Sequence, residues 1–96
     1  MKMNHNIPEM KIELFDSDNH LAGAISYEPK GPDHLAATHT VVFPEYKGLG
    51  YAKLLLDALI DYAKAENKKI LPVCSYVEHM GRKFPEEYGD MIILKN

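Results

Sequence analysis

Two glycines, Gly48 and Gly50, stand immediately before the one long stretch of helical periodicity in the chain, and that junction limits the possible folds more than any other feature. Tyr51, Leu54, Leu55, Ala58, Leu59 and Tyr62 recur at i, i+3, i+4, i+7, i+8 and i+11, while Lys53, Asp57, Asp61 and Lys64 take the other side. This spacing predicts an amphipathic helix over residues 51–66, with the stripe Leu54, Leu55, Ala58, Leu59 and Tyr62 as core. Asn67 tolerates the left-handed conformation that ends helices, and Lys68 and Lys69 suit the negative end of the dipole. At the opposite end the first N–H groups lack internal partners and point along the positive end of the dipole. A helix entered through glycines can therefore take an anion at close range.

Upstream, Met10, Ile12 and Leu14 alternate with Lys11 and Glu13, the period of a half-buried strand, and residues 16–19 supply a turn. A second strand is expected over residues 20–27. The breaker cluster at 29–33 separates it from a third at 34–43. The first half is thus an antiparallel meander. Downstream, residues 69–74 form a short β-leaning run. Pro72 cannot donate a ladder hydrogen bond, so that strand is expected to have a gap beside it. Ser75 and Glu78 match a capping box, which would start a second helix over residues 76–83. Pro85 opens another short helix through Glu87, Gly89 stops it, and residues 91–94 are a closing strand or an extended tail. The class is mixed α/β (α+β): a meander, a glycine loop, a long helix, a splayed strand and short C-terminal helices.

Ninety-six residues suffice for a single domain, 1–96, with one modest core. Eleven Lys+Arg against 14 Asp+Glu, with Arg82 the one arginine, argue against nucleic acid as a partner, because duplex binding needs a dense field of cations. A single phosphorylated small molecule is still accommodated. One cysteine, Cys74, excludes an internal disulfide framework and a Cys-rich zinc site, and it fits a reducing compartment. Residues 1–6 lead into no apolar targeting segment. The most apolar window, 54–60, is interrupted by Asp57 and too short to span a bilayer, so no membrane partner is expected and the reading is cytoplasmic. Exposed strand edges in so small a sheet make a homodimer a reasonable expectation.

The loop lacks the Lys-Ser/Thr pair of the P-loop NTPases, having Tyr51-Ala52 there, and it lacks the third glycine of a dinucleotide fingerprint. Lys47-Gly48-Leu49-Gly50-Tyr51-Ala52 does resemble the Gln/Arg-x-x-Gly-x-Gly/Ala signature of the GNAT acetyltransferases, with Lys47 in place of the usual Gln or Arg. Residues 39–44, 72–77 and 82–88 extend the likeness to a subfamily of stand-alone GNAT-like proteins of about a hundred residues, over about residues 20–90. The resemblance implies acetyl transfer from acetyl-CoA to an amine, with a non-catalytic coenzyme A binding or sensor module as the alternative. It also implies that the backbone of residues 47–52 holds the pyrophosphate and that the pantetheine arm lies along Val41 and Val42. The acceptor lobe would be shortened, leaving a site that is open or completed by oligomerisation.

Each candidate side chain also has a plainer reading. His39 has the strand parity of Leu35, Ala37, Val41 and Phe43, which suggests a structural histidine; the resemblance implies instead that it faces the thioester and takes a proton from the acceptor amine or from Cys74. Cys74 precedes a helix start, where a thiolate is favoured, and is otherwise an inert core thiol. By resemblance it lies across the cleft that Pro72 helps to open, either carrying the acetyl group or lining the pocket during direct attack. Tyr76 is a candidate proton donor to the leaving thiolate or a packing aromatic. Arg82 and Lys83 contact the cofactor's phosphates or solvate a helix end, and Ser75 completes the cofactor-binding set. No metal is expected, because His34 and His39, five apart in one strand, should point to opposite faces.

Overall fold

The structure, a computed structural model, describes residues 1–94. Its elements are β1 (Lys2–Asn6), β2 (Lys11–Phe15), β3 (Leu21–Lys30), β4 (His34–Val42), α1 (Tyr51–Ala65), β5 (Lys69–Pro72), α2 (Ser75–Lys83) and α3 (Pro85–Tyr88). One 3-10 turn, Pro44–Tyr46, links β4 to α1. The five strands form a single sheet in chain order. Neighbours from β1 to β4 are antiparallel, and β5 runs parallel to β4 because α1 carries the chain back across the sheet. No helix among the described residues is long and apolar enough to cross a membrane.

The fold class is the one expected, a mixed α/β meander with a crossover helix, and most elements fall where the pattern puts them. β1 is the exception, since Lys2-Met3-Asn4-His5-Asn6 has no apolar alternation. β3 also runs on through Pro29 to Lys30, near the end of its pairing with β4.

Leu55, Leu56, Leu59, Ile60 and Ala63 of α1 bury against Ile12, Leu14, Ile25, Leu35 and Ala37 of the sheet. The buried stripe is therefore rotated from the expected one, and Leu54 is 38% exposed. Tyr51, Ala58 and Tyr62 still pack against the core, so the whole contact face is broader than the stripe the spacing picked out. Asn67 ends α1 as expected, with a φ of 57°. Lys68 N–H donates to Ala63 O at 2.8 Å, which closes the helix.

Two local devices shape the C-terminal half of β4 and its surroundings. The first is a β-bulge in β4: Ser26 pairs with His39 and Tyr27 with Ala37, so Thr38 is an extra residue. Cross-strand partners share a face, so Thr40, opposite buried Ile25, stays on the α1 side, while His39, opposite Ser26, turns to the other. The parity that grouped His39 with Leu35 and Ala37 is thereby reversed.

The second is the parting of β4 and β5 after the Ala37–Pro72 pair. Lys69 N–H donates to Asp33 O on the β4 side, whereas Ile70 N–H donates outward to Met91 O. Pro72 shares the side of Ile70, so its missing donor faces the C-terminal segment and does not open the cleft. The strands part because Val73 N–H turns back to Leu71 O and Cys74 N–H takes over Ala37 O at 2.8 Å. That bond starts α2 one residue early. Cys74 occupies the N-cap position, Ser75 is already helical, no side chain caps the helix, and the expected capping box does not form.

Candidate active site

The turn before α1 is fastened from two directions. Tyr46 Oη donates to Asp16 Oδ2 at 2.5 Å, and its ring stacks on Tyr51 with centroids 5.8 Å apart. The shared proton holds the Asp16 carboxyl below its ordinary range and pushes the Tyr46 phenol up to about 12. Between these anchors Gly48 and Gly50 adopt φ of 82° and 80°, the left-handed region where a side chain is strained. A Cβ at either position would meet nothing within 4 Å, so glycine is needed for backbone conformation and the space in front of it is free.

Among the described residues the N–H groups from Gly48 to Lys53 donate to no backbone carbonyl, and the first helical bond is Leu54 N–H to Gly50 O at 3.2 Å. The first turn of α1 contains no acidic residue and its N-cap glycine supplies no side chain. These are the properties of a backbone anion cradle, and they fit a diphosphate.

From the loop a cleft of about 490 Å³ runs along Thr40, Val41 and Val42 to Tyr76 on α2, with Lys47 and Lys53 at its basic end. Its volume is in the range of small-molecule sites. The β4 wall is free to accept a ligand because β5 pairs only as far as Ala37. Val41 is 49% exposed there.

Cys74 sits at the head of α2 with Sγ donating to Thr40 Oγ1 at 3.6 Å. Burial pushes this thiol up, but Thr40 and the amides of Val77 and Tyr76 together outweigh it, and the balance favours ionisation. Burial and the nearby Asp57 carboxylate push the Tyr76 phenol up against the pull of Lys53, so it is held as a proton donor.

The expected residues therefore fall into three groups. Val41, Val42, Lys47, Gly48, Gly50, Tyr51, Ala52 and Tyr76 share the cleft. Cys74 is joined to it through Thr40. His39 lies on the opposite face of β4 and is exposed, on the far side of the opening beyond Ala37. Leu49 and Ser75 point to solvent, and Arg82 pairs with Glu78 at 3.2 Å on the exposed side of α2; none of the three lines the cleft.

Thr40, Tyr46 and Lys53 line the cleft without having been singled out from the sequence. The bulge also corrects the metal argument, since it returns His34 and His39 to one face. What separates them is distance along the strand, about 16 Å at ~3.3 Å per residue. Among the described residues the one convergence of metal-type ligands is Asp16, Asp18 and His20. There Asp16 is already engaged by the amides of Asp18 and His20 and by Tyr46.

The model of the GCN5-related N-acetyl-transferase family matches residues 11–91. The chain belongs to that family. Acetyl transfer is the reaction of this N-acetyltransferase, and acetyl-CoA is the donor its family uses. Among solved structures, the acetyltransferase is similar to a GCN5-like candidate N-acetyltransferase of Staphylococcus aureus, with 28% identity, a TM-score of 0.79, and coverage of 99% of this chain and 90% of that one. It shares its fold with Tetrahymena GCN5 at 12% identity and a TM-score of 0.62, covering 81% of this chain and 48% of that one. The same holds for N-acetylglutamate synthase of Neisseria gonorrhoeae, whose structure contains coenzyme A and N-acetyl-glutamate. That likeness has 22% identity and a TM-score of 0.59, and covers 81% of this chain and 18% of that one. A comparison with curated proteins gives no match.

Proposed function

We propose that the chain transfers the acetyl group of acetyl-CoA to a primary amine, the donor lying in the cleft on the α1 side of the sheet and the acceptor approaching from the side of His39. The observation that carries this reading is one continuous cleft joining the undonated amides of Gly48, Gly50, Tyr51, Ala52 and Lys53 to a β4 edge left free by β5 and to Tyr76. The diphosphate occupies the amides of Gly48 to Lys53, and the pantetheine arm follows Val41 and Val42. The donor supplies an activated thioester, and its carbonyl reaches the opening between β4 and the start of α2.

In direct transfer the acceptor nitrogen attacks the carbonyl carbon, the C–S bond breaks, the imidazole of His39 takes the amine proton, and Tyr76 protonates the departing thiolate. In the stepwise alternative the Cys74 thiolate attacks the carbonyl carbon and the C–S bond to CoA breaks, CoA leaving with a proton from Tyr76; the amine then displaces the Cys74 thiolate and its proton returns to the Tyr76 phenolate. The bond to Thr40 supports the second route, and the exposure of His39 on the acceptor side supports the first.

Among the described residues no carboxylate lines the cleft, which favours a second reading, a module that binds coenzyme A without turnover. Calorimetric titration with CoA tests donor binding, and release of free thiol from acetyl-CoA with a panel of amines separates enzyme from module. An acetyl adduct on Cys74 trapped by mass spectrometry before amine is added decides for the stepwise route. Its absence, with turnover intact, decides for direct attack.

A further inference from the structure

Lys53 carries the one side-chain cation in the first turn of α1, and it is bound in a direction that works against two local preferences. Its ammonium reaches forward to Glu87 Oε2 at 2.7 Å and Asp57 Oδ2 at 3.1 Å, and it lies 5.5 Å from the centre of the Tyr88 ring. Side chains on a helix lean back over the preceding turn, and a lysine four residues before an acid is the weaker order for such a pair. A cation at a helix start also opposes the dipole, and no acidic residue of that turn compensates it. The three side chains are between 40% and 47% exposed, so water competes for these contacts. Lys53 nevertheless lines the cleft, and its own N–H is the last of the undonated amides.

We propose that Lys53 is an exchange residue that leaves Glu87 for the donor's diphosphate when the cleft fills, so that Glu87 on α3 sets the affinity of the site by competing for it. The proposal rests on the acetyl-CoA reading and adds to it a determinant of binding outside the loop. The exchange costs little, because Tyr88 Oη still donates to Asp57 Oδ1 at 2.6 Å and keeps α3 tied to α1 after Lys53 has gone. Asp57 is thereby the fixed carboxylate of the group and Glu87 the released one.

The test is calorimetry with coenzyme A on the wild type, Lys53→Met, Glu87→Gln and the double variant, with thermal melts of each. Lys53→Met is expected to weaken CoA binding by roughly five- to ten-fold, the size of one charge-assisted contact. Glu87→Gln is expected to tighten it by up to about five-fold, and only while Lys53 is present. Both effects should shrink in high salt. S-acetylpantetheine, which has no diphosphate, should bind wild type and Lys53→Met alike. Unchanged CoA affinity in Lys53→Met, or a Glu87→Gln effect that persists in the double variant, overturns the proposal, whatever the melts show. Failure of the wild type to bind CoA at all instead overturns the donor reading beneath it.

Discussion

At the N-terminal edge of the sheet His5 Nε2 meets Tyr27 Oη at 2.5 Å, and the same imidazole lies edge-on to the Tyr62 ring at 4.3 Å. At the head of α1, by contrast, six consecutive amides donate to no backbone carbonyl, two glycines hold left-handed conformations, and β4 runs on past the end of its pairing with β5. In the first region the polar side chains His5 and Tyr27 satisfy each other from within the chain. The second has been folded with its groups pre-aimed and unused. Burial and internal hydrogen bonding therefore concentrate stability in the sheet beneath α1, and unmet donors concentrate binding at the loop.

The contrast breaks most visibly if a core change alters binding directly. Leu59→Ala, at a residue with no exposure, is expected to cost about 2–5 kcal/mol of stability while leaving CoA affinity unchanged in the folded fraction, by chemical denaturation and calorimetry. Gly50→Val should do the reverse in emphasis. Forcing a branched residue to a φ of 80° costs about 1–2 kcal/mol, and the distorted loop should lose roughly ten-fold or more in CoA affinity.

At the sheet edge the expected effect is pH-dependent. Burial disfavours the charged ring and holds the His5 imidazole below its ordinary 6.5, beside its hydrogen bond with Tyr27. A base with a lowered folded value contributes stability that is complete above its unfolded value and lost as acid protonates it. The melting temperature should therefore fall between pH 7 and pH 5, by an amount worth about 1 kcal/mol for one hydrogen bond, and the fall should flatten in His5→Gln. Smallest of all, Thr40→Val should slow alkylation of Cys74 by iodoacetamide near neutral pH with little change in the melt. The hydroxyl that helps stabilise the thiolate is gone, while the volume is kept.

The loop, α1, the meander and the short helices were legible because glycine, periodicity and proline act locally. β1 was not, since its place comes from His5 packing against Tyr27 and Tyr62, residues distant in sequence. The capping box failed because a long-range bond, Cys74 N–H to Ala37 O, moved the start of α2 by one residue. Lys53 reads as an ordinary charge on the polar side of a helix, and only the positions of Glu87 and the cleft distinguish it. Thr38 could not be recognised as an inserted residue, because threonine suits a strand equally well in or out of register.

That inserted threonine acts like a frameshift for side chains: past it, inward and outward exchange identities, although the hydrogen bonding resumes. Were Thr38 to take a regular place in the ladder opposite Ser26, the original phase would return, presenting the imidazole of residue 39 to the thiol where a hydroxyl now stands and sending Thr40 outward. Whether one threonine is paired or extruded thus decides whether the sulfur has an alcohol or a base for its neighbour.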